Sequence, residues 1–111
     1  MAKKKISFDP ELYSKLAVSD LILYGLNSVS SKKKGCTFED LVKECFDSFP
    51  KVFSFSSISK WPDSRKLDRP LRTLRKRKLI KGDPKSSFVL TESGKKIAKE
   101  TADILTQKKL W

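Results

Sequence analysis

The chain has 111 residues, 38% hydrophobic and 10% aromatic, and its 25 Lys and Arg against 13 Asp and Glu give a formal charge of +12. That is enough apolar material for one modest core and too much for a disordered chain. There is no histidine and no CxxC pair, only Cys36 and Cys45, so the commonest general base and a thiolate zinc site are both missing. The four glycines form no phosphate-cradling loop, and no pair of acids stands out, so neither an enzyme nor a bound cofactor, metal or small-molecule ligand is expected.

Residues 1–8 read as a basic tail, residues 9–107 as one domain and residues 108–111 as a second tail. Met1-Ala2-Lys3-Lys4-Lys5-Ile6 has the charge of a signal peptide's start, but Asp9, Pro10 and Glu11 interrupt the apolar stretch that should follow. No apolar run approaches the roughly 18 residues of a membrane span. A cytoplasmic protein with reduced thiols is expected.

Asp9-Pro10-Glu11 suits a helix start, with Asp as cap and Pro at the first helical position. The first helix should run to about Leu26 on Leu12, Leu16, Leu21, Ile22 and Leu26, with Gly25 and Asn27 as stop signals. Val18 and Tyr24 lie off that stripe. Ser28 to Gly35 reads as a polar loop carrying Lys32-Lys33-Lys34, a run expected to be solvated, with backbone phosphate contact as a second reading. A second helix follows, capped by Thr37, with Glu39 and Asp40 in its first turn. Phe38, Leu41, Val42, Cys45, Phe46 and Phe49 form one wide apolar face, and Pro50 ends the helix. Lys51 to Ser56 alternates in part, as a short strand or packed loop would, and Trp61-Pro62 reads as structural.

All five arginines lie between Arg65 and Arg77, and Lys60 to Lys85 holds eleven basic and three acidic residues, +8 of the total charge. Asp63 or Ser64 can cap a helix over 64–77. On a helical wheel Leu67, Leu71 and Leu74 share one side, while Arg65, Arg69, Arg72 and Lys76 form a row opposite, bordered by Thr73. Pro70 conflicts with this helix, since it removes one backbone hydrogen bond. Leu79-Ile80-Lys81 and Phe88-Val89-Leu90 flank Gly82-Asp83-Pro84 as a hairpin, with Lys81 and Lys85 near its tip. Thr91 can cap a last helix whose apolar face is Ile97, Ala98, Thr101, Ile104 and Leu105.

The run Leu71-Arg72-Thr73-Leu74-Arg75-Lys76-Arg77-Lys78-Leu79-Ile80, followed by Leu90-Thr91-Glu92-Ser93-Gly94, resembles the winged helix-turn-helix DNA-binding domains. In these a basic recognition helix runs into a "K-x-G-L-I" strand, and "L-T-x-x-G" opens the last helix. The likeness covers about residues 10–105, with its specific motifs in 71–94. It departs at Lys78, where the family usually has glycine, and in the long connection from Pro50 to Asp63. The resemblance implies a mainly α fold with a small β-hairpin (α+β), helix 64–77 in the major groove and the hairpin 79–91 as wing. It also implies a transcription regulator that binds double-stranded DNA. Arg65, Arg69, Arg72 and Thr73 are then expected at or near bases, because the arginine fork matches guanine O6 and N7. Lys76, Lys81 and Lys85 are expected on phosphates. A homodimer through the first and last helices is expected by analogy. Two alternatives remain. The same helix could bind RNA, which the lack of aromatics on the basic stripe disfavours, or the domain could be a protein-interaction module.

Overall fold

A computed structural model describes residues 13–32, 35–54, 63, 65–82, 85 and 87–106. In order these form α1 (Val18–Ser30), α2 (Phe38–Ser48), a single turn α3 (Pro50–Phe53), α4 (Arg65–Lys76), β1 (Ile80–Gly82), β2 (Phe88–Leu90) and α5 (Glu92–Thr106). The described residues are mainly helical, with a small antiparallel two-stranded sheet. No helix among the described residues is long and apolar enough to cross a membrane.

α1 differs from the expected first helix at both ends. The Asp9-Pro10-Glu11 signal, Leu12 and the basic tail lie outside the described residues. Tyr13 is helical, the chain turns over Ser14 to Leu16, and α1 starts after Ala17, which has no side-chain cap. The helix then passes through Gly25 and Asn27 to Ser30. Gly25 serves packing rather than termination: a Cβ there would lie 3.0 Å from Cys45 Sγ on α2. Tyr13 anchors the preceding turn. Its ring meets Phe49 edge-on at 5.1 Å, and its hydroxyl accepts a hydrogen bond from the Lys51 backbone N–H at 3.1 Å.

α2 follows its sequence pattern. The Thr37 hydroxyl accepts from the Asp40 N–H, and the Asp40 carboxylate accepts from the Thr37 N–H, a closed capping box. Leu41, Cys45 and Phe49 are buried, with Phe38 and Val42 packed against the core, but Phe46, expected on the same face, is only half-buried and outside the core cluster. Burial, then the Glu44 and Cys36 side chains, push the Cys45 thiol well above its ordinary pKa, so it is an inert core group. Glu44 joins α1 to α2. It accepts from Ser28 Oγ at 2.9 Å and lies 3.7 Å from Lys32 Nζ, so Lys32 is paired and not merely solvated. Lys33 and Lys34 lie outside the described residues.

Pro50 both stops α2 and opens α3, where its fixed φ suits the first helical position. The strand or loop expected from Lys51 is therefore a helical turn as far as Phe53. Residues 55–62, with Trp61-Pro62, lie outside the described residues. Their flanks meet again, since the Asp63 N–H donates to the Phe53 carbonyl at 2.7 Å. The long connection thus contains one extra helical turn and closes beside it before α4 begins.

β1 and β2 pair in the register Ile80↔Leu90, Lys81↔Val89, Gly82↔Phe88. Cys36 adds an isolated antiparallel bridge to Phe88, whose N–H donates to the Cys36 carbonyl at 2.8 Å. α5 packs along α1. It buries Ala98, Thr101 and Leu105, with Ile97 against the core, while Ile104, expected on the apolar face, is 41% exposed.

Candidate nucleic-acid interface

α4 buries Leu67, Leu71 and Leu74, so the leucine face predicted from the wheel is the face that meets the core. The opposite face is thereby turned outward, and Arg65, Asp68, Arg69, Arg72, Thr73 and Lys76 are all exposed. Pro70 is accommodated inside the helix without ending it.

The two ends of α4 fix how that face is presented. At the start, the nearly buried Asp63 carboxylate accepts from the Arg65 backbone N–H at 3.1 Å. It also takes two hydrogen bonds from the Arg65 guanidinium, at 2.9 and 3.0 Å. These bonds, the side-chain ones foremost, hold the Asp63 carboxyl below its ordinary value. At the finish, Lys78 adopts φ 62°, the left-handed conformation. The Leu79 N–H reaches back to the Leu74 carbonyl, and the Lys78 N–H to that of Arg75, both at 3.0 Å. That is a complete Schellman closure with lysine where glycine is usual, and Leu74 and Leu79, at the two positions where such a motif makes its apolar contact, are both buried. β1 follows at once, so the hairpin is set at a fixed angle to α4.

Between α4 and β1 lies a cleft of about 760 Å³. Its walls are Arg69, Arg72, Thr73, Arg75 and Lys76 from α4, and Ile80, Lys81 and Gly82 from β1. Of the seven residues expected to contact nucleic acid, Arg69, Arg72, Thr73, Lys76 and Lys81 therefore come together. Arg65 does not line the cleft and is committed to Asp63. Lys85 is exposed on the hairpin, away from the cleft wall. Arg75 is the addition. On the wheel it lies about as far from the stripe's centre as Thr73, on the other side, so the same arithmetic that found Thr73 would have found it.

Arg72 also has a partner. Its Nη2 donates to Asp68 Oδ2 at 2.9 Å, one helical turn back, and both side chains are about two-thirds exposed. The i, i+4 spacing of Asp68 and Arg72 carries that signal in the sequence. Arg77 leaves the stripe for the other side of the helix. The Asp20 carboxyl on α1 is raised above its ordinary value by burial, lowered by the charge of Arg77 and raised again by Glu100.

The cleft is shallow and open, and every charged residue that lines it is a cation, so its field attracts anions. Among the described residues no group of acidic or thiol side chains could hold a metal ion. Comparison with protein-family models, curated proteins and solved structures gave no match.

Proposed function

We propose that this protein is a winged-helix regulator that binds duplex DNA, with α4 in the major groove and the β1–β2 hairpin as its wing. The observation that carries this reading is the cleft, which four cations from the helix and Lys81 from the hairpin line together, in a space open to a polyanion. Three further features support it. The element order is that of a winged helix, with the Cys36 bridge standing where a short third strand would pair. Lys78 takes up the positive φ that glycine has in the family. Thr91 and Gly94 give the "L-T-x-x-G" motif a physical role, because the Thr91 hydroxyl accepts from the Gly94 N–H at 3.2 Å and lies 2.8 and 3.1 Å from the Lys78 and Leu79 carbonyls. α5 is thereby stitched onto the end of α4.

Titration of a labelled duplex over a range of salt concentrations tests the reading. If about six phosphates are neutralised, log affinity should fall with log salt at a slope near −5. A salt-independent association would remove the proposal, and a preference for RNA in direct competition would replace duplex DNA by RNA. Selection from a random duplex library at near-physiological salt then finds the preferred site, and enrichment of a palindrome would add a homodimer.

A further inference from the structure

The cations on the outer face of α4 are not equivalent, and their carboxylate partners separate them. Arg65 is held through two guanidinium hydrogen bonds by Asp63, whose side chain is only 5% exposed. Arg69, Arg75 and Lys76 line the cleft with no ion pair to a described residue. Arg72 lines the cleft too, but carries Asp68 on one nitrogen at 2.9 Å. That bond holds the guanidinium in one orientation and leaves further N–H donors free, because the group carries five. It also places a negative charge beside Arg72. A phosphate arriving there is repelled by that carboxylate through its full negative charge, whereas a base edge with two acceptors carries no net charge and is repelled far less. Asp68 keeps an oxygen, Oδ1, for which no donor is described.

On the reading that this face enters the major groove, we propose that Asp68 and Arg72 together form the sequence-reading unit and recognise a G·C pair. Arg72 gives its fork to guanine O6 and N7. Asp68 orients that fork and accepts from the N4 amino group of a cytosine in the same or the adjacent pair. Both contacts match the donors and acceptors that G·C presents in the major groove. Arg69, Arg75, Lys76 and Lys81 supply sequence-independent attraction to phosphate. Asp68 is then an acidic residue retained on a DNA-binding face because it lowers affinity for every sequence but the right one.

The test compares wild type with Asp68→Ala, Arg72→Lys and Arg72→Ala against two duplexes: the sequence selected by the wild-type protein, and the same duplex with its critical G·C pair changed to A·T. Wild type should prefer the selected duplex by about 10- to 100-fold, the discrimination of one good bidentate contact. Arg72→Lys keeps the charge and loses the fork, so it should bind both duplexes with the affinity wild type has for the altered one. Asp68→Ala should move two quantities in opposite directions. Binding to the altered duplex tightens a few-fold because a negative charge is gone, while the preference shrinks. A merely electrostatic Asp68 would tighten both duplexes equally and leave the preference intact, which would overturn the proposal. Retention of the preference by Arg72→Lys would overturn it as well. A wild-type protein that binds all duplexes alike, with the salt slope given above, would overturn the reading unit and leave the interface standing. Absence of duplex binding would remove both. Asp68 and Arg72 are exposed, so circular dichroism of the variants should match wild type and confirm that each is folded.

Discussion

The two ends of α4 are fixed by different physics. The first is held by charge: a nearly buried carboxylate, Asp63, takes hydrogen bonds from the backbone and guanidinium of Arg65. The second is held by shape: backbone N–H groups close on the carbonyls of Leu74 and Arg75, two buried leucines bracket the turn, and α5 is pressed against it. Both serve one end, which is to present the cation row at a fixed angle to the hairpin. They should respond to different perturbations. The first should feel pH, and the second should feel the loss or gain of a few carbon atoms.

The largest effects are expected at the shape-held end. Leu74 is fully buried where α4 closes on Leu79. Leu74→Ala should cost roughly 2–5 kcal/mol, measured as a shift in the urea midpoint at constant slope. Gly94 comes next. Its bare Cα lies against the Leu79 carbonyl, and a Cβ there would overlap that backbone group. Something would have to shift, and backbone is less able to move than a side chain. Gly94→Ala should therefore cost roughly 1–3 kcal/mol or more by overpacking, despite the better helix propensity of alanine. A neutral or stabilising Gly94→Ala would show that α5 is not clamped to the end of α4.

The charge-held end should show itself in acid. The folded Asp63 carboxyl lies below its ordinary value of 3.8 because Arg65 stabilises the ionised form. The stability it contributes is therefore complete above the unfolded value and is lost as pH falls from about 3.8 through the lower folded value. Asp20 acts in the opposite sense. Its folded carboxyl is raised by burial, so protonation there favours the folded state as pH falls through the raised value. The measurement is accordingly a difference: the loss of stability between pH 5 and pH 2 should be smaller in Asp63→Asn than in wild type, since Asp20 is common to both. Equal acid sensitivity would mean that the Asp63–Arg65 pair does not hold the start of α4.

This division also explains what could be read from the sequence. Where a local pattern and the tertiary demand agree, the elements are legible: the α2 stripe with its Thr37 cap, the leucine face of α4, the hairpin and the Thr91 start of α5. Where a residue serves a distant partner, local rules mislead. Gly25 resembles a helix stop but admits Cys45 of the neighbouring helix. Pro50 ends one helix and begins the next. Ala17 offers no capping side chain, so nothing local marks the start of α1. At the candidate site the wheel separated buried from exposed positions correctly. It could not show that Arg65 is committed to Asp63, because that bond joins residues two apart across the start of the helix, where helical spacing does not apply.

The smallest effect is the most discriminating, because its sign is unusual. Lys78 is exposed and has φ 62°, a conformation that strains any residue with a Cβ. Lys78→Gly should therefore stabilise the protein, by about 1 kcal/mol, although it removes a side chain and loosens the unfolded chain. Lys78→Ala removes the same charge while keeping the Cβ, so it should not share the gain. The pair of variants separates backbone strain from charge repulsion among the neighbouring Arg75, Lys76 and Arg77. If both substitutions stabilise equally, repulsion in the basic segment is the cause. If only glycine does, the protein bears a strained residue at the junction between its basic helix and its hairpin, and the lysine there contributes something other than stability. Lys78 does not line the cleft. Its replacement should thus weaken the proposed DNA binding only slightly, by less than the loss of Arg69 or Lys76 from the cleft wall.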